Sequence, residues 1–107
     1  MTTKMQRTTG THWVFRLIPP RPTFDQDMSE SEREIMGRHA AYWSEIAEGG
    51  QVVAYGPVRD QSGSWGLGVI EATSEDEVRG LVDGDPAISS GMARMEYGPM
   101  LVSIVRA

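Results

Sequence analysis

Two helix-start signals, set among short strand-like runs, constrain this chain more than any other feature. Ser29-Glu30-Ser31-Glu32 offers hydroxyl N-caps followed by carboxylates, which suit the positive end of a helix. Ile35, His39, Tyr42/Trp43 and Ile46 then recur at three- and four-residue steps, one apolar stripe down a helix ending at Gly49-Gly50. Thr73-Ser74-Glu75-Asp76-Glu77 repeats the capping pattern and opens a second helix with Val78, Leu81 and Val82 inward, broken at Asp83-Gly84-Asp85-Pro86.

The segments between read as strands. His12 to Ile18 alternates, with Trp13, Phe15 and Leu17 on one face, and Pro19-Pro20-Arg21-Pro22 ends it in a loop through Asp27. Gln51 to Tyr55 is a strand stopped by Gly56-Pro57, and a turn at Arg59 to Gly63 leads into a strand from Ser64 to Glu71, making an antiparallel hairpin. A short helical turn spans Ala87 to Ser90, and Ala93 to Val105 is a final strand, bulged near Gly98-Pro99. The order predicts an α+β, ferredoxin-like βαββαβ fold, a four-stranded antiparallel sheet with both helices on one face. Val52 and Val53, Val69 and Ile70, and Leu101 and Val102 then put apolar residues on both faces of three strands, so the helix-free face calls for a second copy as cover. Residues 1–10 are polar, Thr-rich and aperiodic, and are expected to form a flexible, dispensable tail ahead of a single domain over 11–107.

Composition narrows the function. At 107 residues the chain supports one core and no second domain. The absence of cysteine removes thiol nucleophiles, disulfide scaffolds, zinc ribbons and iron–sulfur clusters. A net charge of −5 with scattered Lys and Arg speaks against nucleic-acid binding. No apolar run reaches membrane-span length, and the basic start is followed by Thr8-Thr9-Gly10 rather than an apolar stretch, so a cytoplasmic protein is expected. Gly66 and Gly68 lie in a strand with no dinucleotide fingerprint, and no glycine-rich phosphate loop precedes either helix. Two histidines and carboxylates without ligand spacing predict no metal site, and no cofactor is expected.

His39 is the most informative residue. Ile35 and Trp43 lie one turn either side, which aims its imidazole at the sheet, either as a satisfied core group or as an acid/base. Asp85 reads equally as a turn or cap residue before Pro86 and as the carboxylate that orients His39. Arg38 is a solvated helix-face arginine or an anchor for an anionic substrate, and Tyr42 and Trp43 are core or pocket wall. His12 begins a strand beside the tail and is expected near the surface.

Four landmarks in order carry a family likeness: Arg38-His39-x-x-Tyr42-Trp43, Gly49-Gly50, Gly56-Pro57 with Asp60 and Gly63, and Asp85-Pro86. From His12 onward the chain resembles the YCII-related family of the dimeric α+β barrel superfamily. The resemblance implies a homodimer with sheets packed face to face and a site containing a His and an Asp, here His39 and Asp85. It also implies cofactor-free chemistry on a small molecule, since some relatives are dehydrochlorinases of chlorinated aromatics and distant ones are monooxygenases or lactone isomerases. The Pro19 to Met28 loop is longer than in the shortest members, and it and the Thr-rich tail are the departures that bear on the pocket mouth. The expectation is a homodimeric, cofactor-free enzyme using His39 and Asp85 for elimination or isomerisation, with Arg38, Tyr42 and Trp43 about the substrate. The alternative is a module that binds a metabolite or a protein without turnover.

Overall fold

The computed structural model describes residues 2–107. Six strands and four helices follow one another as β1 Met5–Thr8, β2 His12–Ile18, α1 Phe24–Asp27, α2 Glu30–Glu48, β3 Val52–Asp60, β4 Gly63–Glu71, α3 Glu75–Asp83, α4 Pro86–Ser89, β5 Arg94–Pro99 and β6 Ser103–Arg106. The main sheet is antiparallel throughout, in the order β3-β4-β2-β5, the ferredoxin-like arrangement predicted.

Both predicted caps close their helices. Ser29 accepts from the Glu32 amide while the Glu32 carboxylate accepts from the Ser29 amide, a reciprocal capping box, and Ser74 accepts from the Glu77 amide. Trp13, Phe15 and Leu17 of β2 pair with Ile70, Gly68 and Gly66 of β4, so this face gathers the apolar side chains under the helices. Phe15, Trp43, Ile70, Ala72, Val78 and Val82 form the buried centre, with the Phe15 and Trp43 rings 4.7 Å apart. Tyr42 meets Trp43 edge-on and donates its hydroxyl to the Leu81 carbonyl at 2.7 Å, tying α2 to α3. On the opposite face Val14, Arg16 and Ile18 lie with Val69 and Leu67 and have no helix over them.

Four expectations are corrected. First, residues 5–8 are not tail: β1 pairs with β6, Met5 opposite Arg106 and Thr8 opposite Ser103. Backbone pairing with the other terminus orders a segment whose composition shows no apolar period. Second, the last strand is two strands: β5 joins β2 in the sheet, whereas β6 leaves it for β1. Leu101 and Val102, expected within that strand, lie in the exposed connection between. Third, β3 runs through Gly56-Pro57 to Asp60, because β3 is an edge strand and Pro57 has no outer neighbour to which an amide would donate. Fourth, His12 is 2% exposed, its Nδ1 within 3.0 Å of the Thr8 hydroxyl and 3.1 Å of the Thr11 hydroxyl. Its Nε2 lies 3.5 Å from a Glu71 oxygen without making a hydrogen bond.

Candidate functional site

A carboxylate sealed from solvent must have its oxygens satisfied, and Asp85 is fully buried. As N-cap of α4 it accepts from the Ala87 amide on Oδ1 at 2.8 Å. Trp43 Nε1 donates to Oδ2 at 2.8 Å, and His39 Nδ1 lies 2.9 and 2.8 Å from the two oxygens. Three donors from α2 and α4 thus converge on one carboxylate. An ionised carboxylate only accepts, so it draws the imidazole proton to Nδ1 and leaves Nε2 as the free basic atom of the ring. The His39 side chain keeps 15% of its surface exposed, so this pair is not closed off on the histidine side.

His39 opens onto a cavity of about 310 Å³ between α2, the sheet and the 19–28 segment. Phe15, Phe24, Met28, Met36 and Trp43 make its wall almost wholly apolar, and His39 is the imidazole among them. The segment forming one side is clasped in place. Arg21 donates to both Glu32 oxygens at 2.9 and 2.8 Å and to Asp27 Oδ1 at 2.7 Å, and Arg59 pairs with Asp25. Phe24, 4% exposed, anchors it from within. The Arg21 hydrogen bonds, with help from the Ser29 amide, lower the Glu32 carboxyl to about 2. Thr23 and then Arg21 hold Asp27 below the usual carboxylate value. Burial, with Asp85 nearby, pushes the Tyr42 phenol upward.

The residues singled out in the sequence divide. His39, Asp85 and Trp43 come together, and Trp43 both lines the cavity and holds the carboxylate. Tyr42 does not line it, its hydroxyl being spent on Leu81, and Arg38 is exposed on α2 away from the cavity. Both depart from the expected substrate contacts, because a helix presents only one stripe to its sheet. Sequence reasoning missed Phe24, Met28, Met36 and Tyr55. Met36, His39, Ala40 and Trp43 form a continuous helical stripe that could have exposed Met36. Nothing local marks Phe24, which the clasp brings in.

The family model for the YCII-related domain matches residues 13–100, most of the chain. The chain belongs to the YCII-related family. Its fold is similar to that of 5-chloro-2-hydroxyhydroquinone dehydrochlorinase from Burkholderia phenoliruptrix AC1100, solved with 2,5-dihydroxybenzoquinone, at 19% identity and a TM-score of 0.59 over 80% of this chain and 90% of that one. An uncharacterized protein from Thermotoga maritima is similar at 10% identity and a TM-score of 0.51, over 91% of this chain and 99% of that one. At such identities these likenesses are of fold. No curated protein matches the chain. Among the described residues of this YCII-related protein no helix is long and apolar enough to cross a membrane.

Proposed function

We propose that this YCII-related protein is a cofactor-free enzyme that moves a proton on a small, uncharged, largely apolar ring compound, with His39 as general acid/base and Asp85 as its orienter. The observation that carries the reading is the His39–Asp85 contact at 2.8 Å on the wall of an apolar cavity. Uncharged substrates fit because the wall is almost wholly apolar and Arg21 and Arg59, the cations that clasp the 19–28 segment beside it, are already paired with carboxylates. In an elimination, Nε2 takes a proton from the ring, the new double bond forms from that C–H pair, and the leaving group departs with its bonding electrons. In an isomerisation the same nitrogen returns the proton to another carbon. The dehydrochlorinase activity of the similar Burkholderia protein supports the first. The proposal includes a cytoplasmic homodimer packed through the helix-free sheet face, where Val14, Leu67 and Val69 lie.

A screen of hydroxylated benzenes, quinones and lactones by thermal shift and by proton NMR, on wild type and His39→Ala, tests the site. Ligands that stabilise and are converted by wild type, and neither by the variant, are expected. Binding by both proteins without conversion by either would replace the enzyme with a metabolite-binding module, a reading that the cavity's nearly uniform apolar wall favours.

A further inference from the structure

The β1–β6 ribbon continues the β2–β5 pair past the end of the sheet. Trp13 opposes Pro99 in the sheet and Thr8 opposes Ser103 in the ribbon, so the ladder resumes after one extra residue on the N-terminal side. Gly10, at φ +72°, takes up that bulge. β4 ends at Glu71, opposite His12, so neither β4 nor β3 accompanies the ribbon outward. It is an arm, rooted by the fully buried Ser103 and by the Thr8 contact to His12.

An isolated two-stranded ribbon is marginal in water, and this one exposes what a free surface would bury. Met5 is 56% and Ile104 66% exposed, side by side with Arg7 and Arg106 on one face, and Leu101, at its base, is 84% exposed. Charge says what would cover it. Residues 1–8 and 103–107 hold Lys4, Arg7 and Arg106 and no acidic residue, while the rest of the chain sets seven basic against fifteen acidic residues. Among the described residues none of the three cations has an ion-pair partner.

We propose that the arm docks on the acidic body of a second copy of this chain, its apolar residues buried and its three cations neutralised there. An anionic lipid surface suits the arm alone but is repelled by the body that carries it. The proposal shares with the homodimer reading only the premise that the chain self-associates; it assigns a contact that the sheet face does not make.

Cysteine is absent from the chain, so Ile104→Cys gives a single thiol for a benzophenone photo-cross-linker. Light scattering on the same sample reports the assembly. The expected result is a covalent species of twice 11.8 kDa whose yield falls about tenfold with Arg7→Glu/Arg106→Glu, or on raising salt to roughly 0.5 M, with unchanged melting curves. A dimer by light scattering with no cross-link between chains would overturn the arm contact and leave the sheet-face dimer standing. A monomer with no cross-link would overturn both. Yield insensitive to the charge reversal would overturn the acidic docking surface, and cross-linking only to vesicles of anionic lipid would replace the second copy with a membrane.

Discussion

Asp85 is weighed in the sequence as either a cap or an orienter, and its carboxylate makes both contacts at once. One oxygen caps α4, the other takes the Trp43 indole, and His39 reaches both. This separates two substitutions. Asp85→Asn puts amide hydrogens where donors already converge, and is expected to cost about 2–4 kcal/mol, a fall of 10 °C or more in melting temperature. His39→Ala leaves Asp85 two of its three donors and removes a side chain that is partly solvated. It should cost about 1 kcal/mol while abolishing ligand response. A calorimetric melt of the two variants beside the ligand screen checks both, and a His39→Ala loss as large as that of Asp85→Asn would mark the histidine as structural. The pair was legible because helical spacing turns His39 inward and Asp-Pro marks the start of the next helix. The third partner was not, since an indole donor aimed across the core leaves no local pattern.

At the scale of the element, the clasp between the 19–28 segment and α2 makes a pH-dependent contribution. Arg21 holds the Glu32 carboxyl well below its ordinary 4.5, at about 2, and helps to lower Asp27. A depressed carboxyl stabilises the fold fully above its unfolded value and ceases to do so as pH falls through the folded one. Between pH 4.5 and 2 the wild-type melting temperature should therefore fall more steeply than that of Arg21→Met, the two curves converging at the acid end. Parallel curves would mean that the clasp adds nothing to stability. In β4, Gly68 is explained by Phe15: a Cβ there would collide with the Phe15 ring, which is itself stacked on Trp43. Gly68→Ala should cost roughly 1–3 kcal/mol in a denaturant melt. It should also weaken ligand binding, because Phe15 and Trp43 both line the cavity.

For the whole molecule, self-association through the helix-free face predicts a mass of twice 11.8 kDa by sedimentation at micromolar concentration. Leu67→Glu/Val69→Glu should return it to a monomer, since like charges would be buried against one another. Removing residues 1–8 is expected to lower the melting temperature by roughly 5 °C or more, because it strips β6 of its partner and His12 of the Thr8 hydroxyl. An unchanged melt would restore the dispensable tail that composition alone suggests.

Periodicity and capping in the sequence determined the two long helices, the β2 and β4 strands nearly to their ends and the order of the elements, because these are written among neighbouring residues. They also placed His39 toward the sheet. Only the tertiary structure decided what depends on residues far apart in the chain. The Thr-rich first ten residues carry no sign that Met5–Thr8 pairs with Ser103–Arg106 almost a hundred residues on. Gly56-Pro57 reads as a strand end unless β3 is known to be an edge. Phe24 belongs to a loop until Arg21 binds Glu32 across eleven residues and closes that loop over the cavity. Local propensity is fixed by near neighbours, whereas a partner for an edge, a terminus or a loop exists only once the chain has folded.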